Sequence, residues 1–186
     1  MNEQGHIYCA SQNGIFVFKE NKFFRPAGLE ILSETAVESL CFDKDKRLWI
    51  GTVSEGLFCL TEGKLKHITE LNELKQSIIS LLFSDKTGNT WIGNERGDLF
   101  LFDGKKYSKK FQTPGANGIV SALQKKDGRI LFGARNGIYI YDEESFQSYS
   151  NKINSINDIV LDRKGNLWLA SNTGVYYQDP ASGEFI

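Results

Sequence analysis

The chain has 186 residues, 40% of them apolar and 24% charged, with 22 basic against 23 acidic side chains. That length suits one well-buried domain, and the balanced charge makes no field that would draw nucleic acid or an anionic membrane surface. No stretch approaches the roughly 18 apolar residues of a membrane span, and no basic segment followed by an apolar one opens the chain, so no secretory leader is read there.

Five similar segments follow in chain order. They are "GHIYCASQNGIFVF" (Gly5–Phe18), "KRLWIGTVSEGLFCL" (Lys46–Leu60), "GNTWIGNERGDLFLF" (Gly88–Phe102), "GRILFGARNGIYIY" (Gly128–Tyr141) and "GNLWLASNTGVYYQ" (Gly165–Gln178). Each reads as two strands rich in β-branched and aromatic residues around a short polar loop. In the third copy an apolar run, Ile78–Ser84, precedes the pair and a polar one, Lys106–Phe111, follows it. A polar fourth strand suits an outer edge in water. The run Lys105–Lys110 lies there, read as a solvated strand or as a contact for phosphate or acidic glycan. Helical spacing is absent except at Asn72–Ser77, which suits a turn of helix between repeats.

The large apolar position of each copy falls on Tyr8, Trp49, Trp91, Leu131 and Trp168, at steps of 41, 42, 40 and 37 residues. A period near 40 residues with four short strands predicts β-propeller blades. The fold expected is all-β, about five four-stranded antiparallel blades forming a fragment of a larger propeller. The blades run approximately over residues 1–30, 31–71, 72–113, 114–150 and 151–186.

The pattern D-x-x-G-x-x-W joins first and second strands, as in Asp85, Gly88 and Trp91 or Asp162, Gly165 and Trp168. Such a hairpin needs an Asp that bonds its own backbone and then a residue tolerant of positive φ. The Trp is expected to point between neighbouring blades. Copy two puts Lys46 where glycine belongs, which predicts a left-handed lysine or a different turn. Gly51, Gly93 and Gly133, with Ala10 and Ala170, end the second strand where backbone passes close by; Gly14, Gly56, Gly137 and Gly174 open the third. Gly97 followed by Asp98 reads as a bulge.

An apolar strand, then D-x-x-G-N-L-W-I-G-T, then G-[LIV]-[FY], resembles the two-component regulator propeller repeat along nearly the whole chain. The resemblance implies a piece of the periplasmic or other extracytoplasmic input region of a hybrid sensor, often one responding to carbohydrate fragments. A kinase domain of the parent chain would then be a partner. Copy one begins at a second strand, so either a closed ring of five blades or an open arc self-associating through its bare edges is possible.

Catalytic chemistry is not expected, and neither cofactor nor metal. His6 and His67 occupy different places in their repeats, and no nucleophile elbow or Glu-x-x-His pattern occurs. Sialidase-like and streptogramin-lyase-like propellers share the architecture, but their arginine triad or loop histidine is not found. Cys9, Cys41 and Cys59 lie in apolar runs and read as buried free thiols. A small-molecule ligand, an oligosaccharide among the candidates, is the expected partner, with no nucleic acid. Its candidate contacts are Arg96, Arg135, Asn94, Asn136, Asn172 and Glu55, all in loops from second to third strand. Asn amides and the Arg fork bond sugar hydroxyls or a uronate carboxylate; the alternative is that tight loops need such residues for turn geometry. A scaffold docking a protein partner is the other reading.

Overall fold

The computed structural model describes residues 5–115 and 117–186. Five antiparallel sheets follow one another along the chain. The first holds β1 (Ile7–Ser11), β2 (Gly14–Lys19) and β3 (Lys22–Phe24). The second holds β4 (Val37–Phe42), β5 (Leu48–Thr52), β6 (Leu57–Thr61) and β7 (Lys64–Ile68). The third comprises β8 (Leu81–Ser84), β9 (Thr90–Gly93), β10 (Asp98–Phe102) and β11 (Tyr107–Gln112). The fourth comprises β12 (Ile119–Gln124), β13 (Ile130–Ala134), β14 (Gly137–Tyr141) and β15 (Phe146–Ser150). The fifth has β16 (Ile156–Leu161), β17 (Leu167–Ser171) and β18 (Gly174–Tyr177). Every sheet is a meander in sequence order, the five-bladed propeller fold that the forty-residue period predicts.

Two blades depart from four strands. The first opens at a second strand, as the sequence indicates, and β1 is its edge among the described residues. In the fifth, a single bridge between Gln178 and Phe185 stands where a fourth strand would run, and Tyr177 and Ile186 exchange backbone hydrogen bonds of 2.9 and 3.0 Å. The chain's last residues therefore line the outer side of their own blade. The turn expected within Asn72–Ser77 is a 3-10 turn at Asn72–Leu74, and a second one, not anticipated, lies at Glu30–Leu32. Each buries a leucine, Leu74 or Leu32, beneath the connection.

The hairpin between first and second strands is one structure repeated. Asp43 Oδ1 accepts the backbone N–H of Asp45 (2.9 Å) and of Arg47 (3.0 Å), and Asp43 Oδ2 accepts the Trp49 indole N–H at 2.7 Å. Asp85 does the same for Thr87, Asn89 and Trp91, and Asp162 for Lys164, Asn166 and Trp168. Copy four has Lys125 in place of Asp and Leu131 in place of Trp, so carboxylate and indole are lost together. Its backbone turn is kept, with Gly128 N–H on the Lys125 carbonyl at 3.3 Å. The left-handed residue of each turn is Lys46 (φ 62°), Gly88 (φ 90°), Gly128 (φ 92°) or Gly165 (φ 87°). Lys46 therefore adopts the left-handed conformation anticipated for it.

The bulge expected at Gly97–Asp98 is not found. Trp49 pairs with Cys59 and Trp91 with Leu101, ten positions on, whereas Tyr8, Leu131 and Trp168 pair nine positions on with Val17, Ile140 and Tyr177. The extra residue is a longer loop shared by blades two and three. Register shifts fall instead in three inner strands, between Val37 and Ser39, Ile119 and Ser121, and Ile156 and Asp158, and in the outer pair of blade four between Ile138 and Tyr139. A shift in an inner strand adds twist where the strands enter from the connection.

The described residues form two compact units, residues 1–95 with 99–110 and residues 96–98 with 111–186. In the first, Trp49, Leu57 and Cys59 of blade two pack on Leu82, Ile92, Phe100 and Phe102 of blade three. The Trp49 and Phe102 rings stand 5.2 Å apart. Tyr8 and Ile15 of blade one meet Ile50 and Phe58 of blade two in the same way. In the second unit Leu131 and Ile138 pack on Ile159 and Leu169. Alternation along the strands thus gives each blade two apolar faces.

Gly51 and Gly133 sit where these faces come closest. A Cβ on Gly51 would lie 2.7 Å from the Ile79 carbonyl oxygen, and one on Gly133 would lie 2.7 Å from Ile156 Cγ2. That is the close approach the small residues anticipate.

Candidate ligand-binding face

The second strand of each blade runs from its hairpin to a polar loop, and backbone hydrogen bonds tie that loop to the blade connections. In the first unit Val53 N–H bonds the Ala36 carbonyl (2.9 Å), Ile79 N–H the Thr52 carbonyl (3.0 Å) and Glu95 N–H the Ile78 carbonyl (3.1 Å). In the second, Arg135 N–H bonds Gly118 (3.2 Å), Ser155 N–H bonds Arg135 (2.6 Å) and Asn172 N–H bonds Ser155 (3.2 Å). Loop and connection thus share one end of the strands, and their backbone polar groups satisfy one another. Inner-strand serines add links. Ser39 Oγ donates to the Ile79 carbonyl at 2.6 Å, and Ser121 Oγ donates to Asp158 Oδ1 at 2.8 Å while accepting Ile159 N–H at 3.1 Å. The result is a braced platform from which loop side chains project.

The six sequence-predicted contacts fare differently. Arg96 and Arg135 are exposed. The Arg135 backbone is held on both sides, while its guanidinium has no hydrogen-bond or ion-pair partner among the described residues. Asn136 donates from Nδ2 to the Pro114 carbonyl (3.0 Å) and the Tyr139 hydroxyl (2.8 Å), and its Oδ1 is buried without a hydrogen bond. Asn172 is exposed, and its Oδ1 accepts from Asn157 Nδ2 at 2.9 Å.

The other two have partners or cover within the first unit. Asn94 is 0% exposed, so its amide is closed off from any ligand on the surface. Glu55 accepts from the Thr35 hydroxyl at 3.0 Å and its N–H bonds Thr52 Oγ1 at 2.9 Å, which makes it a brace of its own loop. His67, on the outer strand β7, stacks on Phe58 with ring centroids 4.4 Å apart, and its Nε2 lies 2.8 Å from the Glu55 carbonyl oxygen.

One residue escaped sequence reading. Arg25 follows β3, outside any second-to-third-strand loop, yet its Nη1 donates to the Asn13 carbonyl (3.1 Å) and the Ser33 carbonyl (3.3 Å). Its guanidinium lies 4.7 Å from the Phe16 ring centroid. Asn13, Arg25, Ser33 and Glu34 line an open depression of about 530 Å³ at this end of the first unit. The only advance signal was the Ser11–Asn13 loop itself. Among the described residues, no group of three or more His, Cys, Asp and Glu is placed to hold a metal ion.

Sheets repeated at forty-residue intervals, with rings on matching faces and polar loops at one strand end, define a β-propeller. The two component regulator propeller model matches residues 31–54 and 152–173. These two segments lie around the β4–β5 and β16–β17 hairpins and are similar to that family's repeat. No curated protein sequence matches it.

Among solved structures, it is similar to the extracellular domain of the hybrid two component system BT3049 from B. thetaiotaomicron. Identity is 23% over 100% of this chain and 27% of that one, with a TM-score of 0.79. The corresponding domain of BT4673 from the same organism is 24% identical over 97% of this chain and 28% of that one, with a TM-score of 0.74. The chain thus spans about a quarter of the length of these domains. A virginiamycin B lyase from Staphylococcus aureus is 14% identical over 100% of this chain and 67% of that one, with a TM-score of 0.74. Such identities speak for the fold. No helix among the described residues is long and apolar enough to cross a membrane.

Proposed function

We propose that this chain is a non-catalytic, ligand-sensing part of the extracytoplasmic input region of a hybrid two-component sensor, and that it reads a carbohydrate at the loop end of its blades. The observation that carries the reading is Arg135. Its backbone is fixed by two hydrogen bonds, and its guanidinium is exposed and uncommitted among the described residues. A planar fork on a rigid mount suits bidentate recognition of a carboxylate or a pair of hydroxyls. Exposed Asn172, the Asn136 amide and Arg96 extend the polar surface of the second unit. In the first unit Arg25 lines an open depression, with its guanidinium already held by the Asn13 and Ser33 carbonyls. Similarity to extracellular sensor domains supports the setting. Transmission to the parent's kinase would follow from altered packing of blades or protomers.

The test is a thermal-shift screen of neutral and uronate-containing oligosaccharides. A ligand that binds the native form at a concentration of 100 Kd stabilises it by about 2.7 kcal/mol. A uronate oligosaccharide is expected to raise the melting temperature of the wild type and not that of an Arg96→Ala/Arg135→Ala double variant. An unchanged shift in the double variant would remove these arginines from the site.

A further inference from the structure

Blades two and three meet on an aromatic pair that blades four and five lack. In the first unit Trp49 stands 5.2 Å from Phe102, and its indole N–H reaches the Asp43 carboxylate. In the second unit the corresponding places are held by Leu131, Gln178 and Lys125. The registers fix this equivalence. Leu131 opposes Leu123 and Ile140 as Trp49 opposes Cys41 and Cys59. Gln178 N–H bonds the Leu167 carbonyl where Phe102 opposes Thr90. Indole, phenyl ring and carboxylate are thus all missing from one interface, and an ammonium replaces the carboxylate.

The neighbours do not close the space this leaves. A cleft of about 120 Å³ is lined by Lys125 of blade four and by Leu161, Asn166, Leu167, Gln178 and Pro180 of blade five. Leu161 and Leu167 are directly opposed, so they present one apolar wall. Polar groups hold the rest in place. Lys125 Nζ lies 6.0 Å from the centroid of the Tyr149 ring. Gln178 Nε2 donates to the Tyr149 hydroxyl and to the Gly183 carbonyl, both at 2.9 Å.

An apolar cavity of about 150 Å³ holds benzene, so a cleft of this size takes a single ring. A flat ring that carries its own carboxylate restores what the interface lacks. The ring would lie on Leu161 and Leu167 where the aromatic pair packs elsewhere, and the carboxylate would accept a charge-assisted bond from Lys125. We propose that the cleft between blades four and five binds a small aromatic carboxylate. It sits at the hairpin ends of the strands, away from the loop face, and is independent of the carbohydrate reading.

Fluorine NMR with para-fluorobenzoate, and with para-fluorobenzamide as the uncharged control, tests the site. The wild type is expected to broaden the fluorobenzoate signal saturably at millimolar concentration, and unlabelled benzoate to reverse the broadening. The benzamide should bind about tenfold more weakly, for want of the charge-assisted bond. Lys125→Gln should weaken the benzoate by the same factor and leave the benzamide unchanged. Leu131→Trp should abolish binding of both, because an indole held as Trp49 is would fill the cleft. Circular dichroism checks its fold, and Leu161→Phe, at a half-buried position of the wall, replaces it if over-packing unfolds the chain. A wild type that broadens neither signal overturns the proposal. Binding undiminished by the filling variant overturns it too, since the ring would then lie elsewhere, as does equal affinity of wild type and Lys125→Gln for the benzoate.

Discussion

Asp43 accepts the indole N–H of Trp49 at 2.7 Å from across the β4–β5 hairpin. The carboxylate that shapes the turn thereby also orients the ring that fills the gap to the next blade. Asp85 holds Trp91 at 2.9 Å, and Asp162 holds Trp168 at 3.3 Å. Local turn chemistry and inter-blade packing are thus one device, repeated.

Removing the carboxylate should cost most where the ring is buried. Asp43→Ala or Asp85→Ala leaves an indole N–H and two turn amides without their acceptor inside the protein. Each buried unsatisfied group costs about 1–3 kcal/mol, so losses of about 3 kcal/mol are expected for either variant by urea denaturation. Asp162→Ala should lose clearly less, because the N–H of Trp168 can turn to water.

Acid should weaken the same motif. Burial pushes the Asp85 carboxyl upward, but hydrogen bonds from Thr87, Trp91 and Asn89 outweigh it and hold the group below its usual range. Asp162 is held at about 2, chiefly by the backbone N–H and side-chain amide of Asn166. A folded-state pKa below the unfolded value means that folding favours the ionised form. The contribution is whole above about pH 5, where the unfolded carboxyl is also ionised, and it is lost as pH falls through the folded pKa. The melting temperature should decline between about pH 5 and pH 2, and Asp162→Asn should decline less steeply.

Backbone conformation gives an opposite pair of effects. Lys46 sits at φ 62° where its counterparts are glycines, a conformation that costs a side-chain-bearing residue about 1–2 kcal/mol. Lys46→Gly is expected to stabilise by up to about 1 kcal/mol, the flexibility of glycine in the unfolded chain offsetting part of the gain. Gly51→Ala drives a methyl toward the Ile79 carbonyl and should destabilise by about 1–3 kcal/mol. Thermal melts of the two variants should therefore move in opposite directions.

The three cysteines are free, but of the three expected to be buried only Cys59 is; Cys9 and Cys41 are half-buried, since each lies in a first or second strand with one side less covered. Burial pushes the Cys41 thiol up to about 11, and it raises Cys59 as well. Both stay protonated at pH 8 and should resist iodoacetamide until the protein unfolds. Cys9 lies half-buried on the open face of blade one and is expected to react first, by mass spectrometry of tryptic peptides.

Much of the fold was legible because the repeat supplies five parallel observations of each position. Tyr8, Trp49, Trp91, Leu131 and Trp168 fall on corresponding register positions because period and alternation leave them no other face. The Asp–indole bond was not legible, since sequence separates Asp43 from Trp49 without saying which way the ring turns. Nor was the role of Gly97, because loop length and a bulge add the same single residue. At the candidate site, position was readable and commitment was not. Asn94 and Arg135 follow the same kind of strand, yet one is buried and the other exposed, a difference that strand position alone does not carry. Arg25 was missed because its importance comes from two carbonyls, Asn13 and Ser33, that are distant from it in sequence.

Hydrogen–deuterium exchange with an oligosaccharide that raises the melting temperature tests the central claim most directly. The loop-face reading predicts slowed exchange at Arg135–Gly137, Ser155–Ile156 and Asn172–Gly174 in the second unit, or around Asn13 and Ser33–Thr35 in the first. Slowing confined to the hairpins at Asp43–Arg47, Asp85–Asn89 and Asp162–Asn166, at the other ends of the same strands, would contradict it.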